Sequence, residues 1–316
     1  MTRAPFVLAA AALSLTATSA AAQSDLATGG ADVTISGAHL AVTVTDPTGT
    51  LTVAPGATLG SLAVVFSGEA QWPTAGAGRL AVDITDAAIA GSLTIPAAPF
   101  TDIHLLRSTV GVSAGQPPER AITIGGLTNS SLRLDAATVH GWLYGVDIIG
   151  SSDGAAIDVV GSTVDLTAMI PGEDPDWDKH AFYLKDLADT ALTVARSAVV
   201  IGGSYEENPF AYAFDIPRPL RTTAVFTDNA LTVGADFYAG IFWISSADGL
   251  CFEATGNDIL TTACADPLNS PDQLACDVGT NLHEVLQVST AVNSTISLRG
   301  NNVNMTGKGS VFVHSN

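Results

Sequence analysis

The chain has 316 residues, only 14% of them charged, and a formal net charge of −19 at neutral pH. So negative a balance excludes a surface that grips nucleic acid or an anionic membrane by charge. Mean hydropathy is +0.34, and the 47% hydrophobic content suffices for a sizeable core.

In chain order, residues 1–22 read as a secretory signal. Arg3 supplies the charged start, Phe6 to Leu15 the apolar centre, and Ala20-Ala21-Ala22 a small-residue cleavage site before Gln23. The apolar run is too short to span a bilayer, and no other segment reads as membrane-spanning. The expectation is an exported protein, periplasmic, secreted or at the cell surface, and not an integral membrane protein. Cleavage removes Arg3 and no acid, so the mature chain is more acidic still. Residues 23–316 carry no stretch with the composition of an interdomain linker and read as one domain.

From Val33 onward a ten-residue pattern of strand, bend and strand recurs. Its copies start at Val33, Val82, Ile103, Leu132, Ile157, Leu192, Ala224, Phe252 and Ile296. The third column is also apolar: Ile35, Ile84, Leu105, Leu134, Val159, Val194, Phe226, Ala254 and Leu298. So is the eighth: Leu40, Ile89, Val110, Val139, Val164, Val199, Leu231, Ile259 and Val303. The sixth holds only small residues: Ala38, Ala87, Ser108, Ala137, Ser162, Ser197, Asn229, Asn257 and Asn301. A unit this short cannot bury its apolar edge alone, so copies must stack. The sixth column is then a bend in which asparagine amides ladder along the stack. Copies spaced like short sandwich strands leave a β-sandwich as the other reading. The gap from Val33 to Val82 has room for two coils.

These columns, with the Asn229, Asn257, Asn301 stack, resemble the right-handed parallel β-helix proteins, the superfold of pectate lyases and polygalacturonases. The resemblance covers Val33 to the C-terminus and implies an all-β solenoid of about nine to ten coils. It implies no particular activity. The polygalacturonase Asn-Thr-Asp, Asp-Asp, Gly-His-Gly and Arg-Ile-Lys series is missing, as is the Trp-Ile-Asp-His of pectate lyases.

About ten residues before each copy lies a third strand, such as Val146-Asp147-Ile148 or Phe242-Trp243-Ile244. If its flanking residues point inward, its middle residue points out. The outward column then reads Thr94, Thr123, Asp147, Tyr183, Asp215, Trp243 and Gln287. Aromatic faces and carboxylates along one sheet suit a stretched glycan, by ring stacking and hydroxyl hydrogen bonding. In the resembling enzymes this sheet carries the active site. Asp147 and Asp215, two rungs apart, are the candidate acid and base. Tyr183, Lys185, Arg218, Trp243 and Gln287 are the candidate substrate-binding residues. A stripe open to solvent supplies no burial to hold a proton on either acid, which favours binding over catalysis. The other class of function is a non-catalytic surface, matrix or adhesion solenoid.

Three further features complete the reading. Asp174, Asp176 and Asp178 alternate in Gly172 to His180 and form a candidate calcium loop. Lys179 and Lys185 occupy the positions where a helix-loop-helix calcium motif needs Gly and Glu, so the other reading is a plain acidic loop. Cys264 and Cys276 bracket a Pro- and Asp-rich insert and are the expected disulfide in an oxidising compartment, with Cys251 able to compete for Cys264. Finally, Val311-Phe312-Val313 reads as a strand with nothing after it, an open edge for self-association.

Overall fold

The computed structural model describes residues 13–17, 23–27, 32–74, 78–112, 116–168, 178–202, 210–235, 238–263, 282–306 and 310–315. Every pairing between its named strands is parallel, and partners are one coil apart in sequence. The architecture is the parallel β-helix that the columns predict, in the right-handed sense that parallel crossovers adopt. A sandwich of antiparallel strands is ruled out by the same pairings.

Eleven strands stack in one sheet, from Gln23–Ala27 to Ser310–Ser315. Among the described residues this is one more than the upper end of the nine to ten expected coils. One coil fills the gap after Val33, with Leu51 and Val53 paired to Val82 and Ile84. Its bend is one residue longer, so Leu59 rather than residue 58 meets Ile89, and the ten-column register hides it. The coil beyond that expectation is the rung that begins at Gln23, paired to Ala41. Leu13–Ala17, inside the segment read as an export signal, lies in register against Val33–Gly37.

From Val33 to Ile259 the three apolar columns, Leu40 apart, form one continuous buried cluster, while in the last copy Ile296 is 39% exposed and Leu298 and Val303 are partly buried. Parallel stacking forces this, since each inward side chain lies over its equivalent about 4.8 Å away. Phe182, Phe214 and Phe242 stack with centroid separations of 4.8 and 5.5 Å. Leu40 is the exception to the eighth column. The first bend is one residue shorter, so His39 takes the inward place opposite Leu59, and Leu40 is 59% exposed.

The sixth column is the bend ladder. Asn229 and Asn257 are buried. The Asn257 carboxamide accepts from the Asn229 backbone and amide, both at 2.9 Å, and donates to the Phe226 carbonyl at 3.1 Å. Asn301 repeats this under Asn257, at 2.9 and 2.8 Å, and donates to the Ala254 carbonyl. Toward the N-terminus serines take over, with Ser162 N donating to Ser197 Oγ and Ala137 N to Ser162 Oγ. The residue before each ladder position has positive φ, from Asp86 and Arg107 to Ala136, Arg196 and Asp228. That left-handed step turns the chain, and the ladder side chain satisfies the backbone N–H that the turn leaves over.

Asn257→Ala leaves the Asn229 N–H and the Phe226 carbonyl of the preceding rung without this partner and takes one donor from the Asn301 carboxamide. We expect a loss of about 2–3 kcal/mol, read from urea unfolding, against a loss near zero for Asn302→Ala on the exposed side of the same bend.

Candidate functional site

The eleven-stranded sheet carries the predicted outward column, and its register is as expected. Thr94, Thr123, Asp147, Tyr183, Asp215, Trp243 and Gln287 are successive ladder partners. Asp147 and Asp215 are therefore two rungs apart with Tyr183 between them, and Trp243 is one rung beyond.

A second column, which strict alternation hides, lies three residues upstream. Arg120, Tyr144, His180, Tyr212, Gly240 and Glu284 are also successive partners. Alternation places a residue three positions from Asp147 on the opposite face. Each rung evades this with a bulge-like kink. Ladder pairing skips Ala121, Gly145, Ala181, Ala213, Ile241 and Val285. These residues are buried beside Ile122, Val146, Phe182, Phe214, Phe242 and Leu286. Two consecutive residues point inward, so the next residue upstream points out. Such kinks re-aim side chains and must repeat in every rung to keep the stack in register. Gly145 shows the crowding, because a Cβ there would lie 2.4 Å from Val164 Cγ1.

The two columns build a layer of rings over carboxylates. His180 is stacked between Tyr144 and Tyr212, with centroids 5.2 Å away on both sides. Tyr183 meets His180 edge-on at 5.4 Å. Tyr212 continues to Tyr238 at 5.2 Å and to Trp243 at 5.5 Å. Gly240 leaves room for this: a Cβ there would come within 2.8 Å of the Tyr238 ring. At the N-terminal end the Arg120 guanidinium sits 4.3 Å over the Tyr144 ring and pairs with Asp147. At the other end the Tyr238 hydroxyl bonds Glu284 Oε2 at 2.6 Å and Gln287 Oε1 at 3.0 Å.

The acids are not open to solvent, contrary to the expected exposed stripe. Asp147 is 0% and Asp215 1% exposed. They point out from the core, as expected, but the ring layer covers them. Burial pushes the carboxyls of Asp147 and Asp215 above the ordinary aspartate range, although Arg120 and His180 pull the other way. Asp178 is half-buried and shifted upward by burial as well, within electrostatic reach of His180 and Asp215. Burial likewise raises the hydroxyl pKa of Tyr144, Tyr183, Tyr212 and Tyr238. Asp147 Oδ1 and Asp215 Oδ1 have no hydrogen-bond partner among the described residues. His180 Nδ1 lies 3.1 Å from Asp215 Oδ2 without hydrogen-bond alignment. Buried carboxylate oxygens left without donors are costly, and natural folds rarely keep them without a use.

The remaining predicted residues are placed as follows. Trp243, Tyr183 and Gln287 join the face and are half-buried. Lys185 follows the end of its strand, half-buried. Arg218 does not join the face. It sits in the next bend with positive φ and pairs with Asp186 at 2.8 Å, as Arg221 pairs with Asp189. The reason is geometric: after Ile216 the chain has already turned the corner. Of the candidate calcium ligands, Asp174 and Asp176 lie outside the described residues and Asp178 borders the face. Among the described residues no group of three His, Cys, Asp or Glu is placed to hold a metal. Cys264 and Cys276 lie outside the described residues, and Cys251 is exposed and unpaired. No described helix is long and apolar enough to cross a membrane.

Lys179, which neither column includes, points the other way. It is 1% exposed, and its Nζ donates to the carbonyls of Gly202, Leu166 and Ala168 at 2.8, 3.1 and 3.4 Å. It thereby ties the residues before 169–177 and 203–209 to the strand that carries His180. A cleft of about 200 Å³ lined by Trp72, Ala97, Pro99, Gly126, Thr128 and Ser151 belongs to a corner of the coil, not to the ring layer.

No protein-family model matches the chain, and no curated protein matches it. Among solved structures it is similar to the Dettilon tailspike protein (gp208), with 9% sequence identity and a TM-score of 0.32, over 90% of this chain and 62% of that one. The chain thus spans less than two thirds of that tailspike's length. A likeness this distant carries no functional argument.

Two stability measurements check the electrostatics. The Asp215 carboxyl has a raised folded pKa, so the folded state holds its proton longer than the unfolded state. Its contribution is lost as pH rises through the folded pKa, and the charge is then buried at a cost. Asp215→Asn should therefore melt higher than wild type at pH 7, with a smaller difference at pH 4. Burial holds the Lys179 ammonium down at about 8. Between that value and the unfolded value the unfolded chain binds more protons, so stability rises with pH there. Thermal melts should show wild type gaining on Lys179→Met from pH 8 to about 10.

Proposed function

We propose that the ring-and-carboxylate face of the long sheet binds a polysaccharide, in a protein that is exported. One observation carries this reading: Tyr144, His180, Tyr183, Tyr212, Tyr238 and Trp243 form a contiguous layer across four consecutive rungs. At about 4.8 Å per rung the layer is roughly 15 Å long at the backbone, enough for several sugar rings. Tyr183 and Trp243, inclined to the Tyr144–His180–Tyr212 stack, offer ring surface to the CH faces of sugars, while tyrosine hydroxyls and Gln287 offer hydrogen bonds to their hydroxyls. A core-only explanation fails, since the apolar core lies on the opposite side of this sheet.

A specific observation favours hydrolysis as a second reading. Asp147 and Asp215 are buried, and burial raises both carboxyls above the ordinary aspartate range, the direction a general acid needs. Two rungs separate their backbones by about 9–10 Å. Tilt of the two side chains toward each other would shorten this to the roughly 6.5–9.5 Å spacing of inverting glycosidases. The acid protonates the leaving oxygen while the base activates a water on the other side of the sugar.

The test is affinity electrophoresis through gels containing a neutral glucan, chitosan or polygalacturonate. Trp243→Ala should weaken retention about tenfold, the equivalent of one lost stacking platform. Release of new reducing ends at saturating glycan, falling at least about hundredfold in Asp147→Asn and Asp215→Asn, supports the acid–base assignment. Retention of no glycan by the wild type sinks the reading and leaves a structural solenoid.

A further inference from the structure

The charges around the ring layer differ from those of a surface built for acidic glycans. Glu119, Asp147, Asp178, Asp215 and Glu284 face or flank it, against Arg120, Lys185 and the imidazole of His180, whose Nδ1 lies 3.1 Å from Asp215 Oδ2. Arg120 is already engaged by Asp147 and Glu119. Asp186 and Arg218 at the corner neutralise each other. Tyr212, at the centre of the layer, feels the negative charge of Asp178, Asp215 and Glu284 together. Tyr144 next to it feels Asp147 and Asp178.

Two independent observations say that this negative charge is directed at a ligand. Asp147 Oδ1 and Asp215 Oδ1 are buried acceptors that no described donor meets. Arg120 already lies 4.3 Å over the end face of the Tyr144–His180–Tyr212 stack, and Tyr183 and Trp243, inclined by 74° to His180 and by 35° to Tyr212, are the rings that offer a π face to a further cation. Carboxylates beneath add to that attraction through a layer of low dielectric, where charge acts more strongly than in water. The same field repels a carboxylate-bearing chain.

We infer that the glycan held by this face carries free amino groups, and that uronate chains are excluded. The ligand class is a polycationic amino-sugar polymer whose ammonium groups lie along the layer, beside Tyr183 and Trp243. This deepens the polysaccharide reading above and rests on it. N-acetylation removes the charge and with it the main attraction.

The probes are chitosan hexamer, its fully N-acetylated counterpart and a polygalacturonate oligomer, titrated by calorimetry into the whole protein. We expect the amino hexamer to bind at least about tenfold more tightly than the N-acetylated one, a difference of about 1.4 kcal/mol, and the uronate not at all. A general attraction between an acidic protein and a polycation is separated by two charge-matched variants. Asp178→Asn/Asp215→Asn should weaken the amino hexamer about tenfold or more. Asp83→Asn/Asp158→Asn removes two charges from the neighbouring sheet, whose strands pair through Ile103–Leu105 and Leu132–Leu134, and should leave the affinity within about twofold. Thermal melts of both variants confirm that they fold, and the comparison of the three glycans with wild type needs no variant. Equal weakening by both pairs, or equal affinity for the amino and acetyl hexamers, overturns the inference. Tighter binding of the uronate overturns it and leaves polysaccharide binding standing, whereas failure of every glycan removes both.

Discussion

The structure depends on the bend that follows each copy's first strand. A left-handed residue turns the chain, and where a serine or asparagine follows it, that side chain bonds the same position one rung away. Because the bond runs along the stack, every rung constrains the next. A single register error there shifts all side chains of the following strands to the wrong face. The apolar columns supply the driving force for stacking, as burial does in any solenoid. They cannot by themselves choose between registers that differ by two residues, since alternation is preserved in both. Ser162, Ser197, Asn229, Asn257 and Asn301 make that choice.

Rung-by-rung register is also what makes the ring layer possible. His180 lies flat between Tyr144 and Tyr212 because their strands are held one above the other at the sheet spacing. The kink at Gly145, Ala181 and Ala213 works only because it is repeated in each rung. A lone bulge would break the ladder. Here the ladder continues on both sides of the kink, and two columns face outward where alternation allows one.

The face costs stability. Burial raises the carboxyls of Asp147, Asp178 and Asp215, and a buried charge without full hydrogen bonding is unfavourable however it is arranged. The salt bridges at the corners, such as Arg107–Asp86 and Arg218–Asp186, are exposed and contribute little in return. Arrangements that cost stability without serving the fold are characteristic of sites that act on something else.

How much of this was readable beforehand differs between the fold and the site. The amino-acid sequence alone determined the parallel stack, the asparagine ladder and the column from Thr94 to Gln287, because each rests on a local period that repeats. It also contained the kink, as an apolar pair in each rung from Ala121-Ile122 to Val285-Leu286 that breaks alternation, but a break in a pattern does not say which residue turns outward. Only the tertiary structure decided that Tyr144, His180 and Tyr212 share a face with Asp147 and Asp215. It alone paired Arg218 with Asp186 in the bend after Asp215 and covered the two acids. The reason is that burial of an outward side chain depends on what neighbouring rungs lay over it. That cover comes from residues about thirty positions away in the chain, whose register is fixed by the bend rather than by the strand itself.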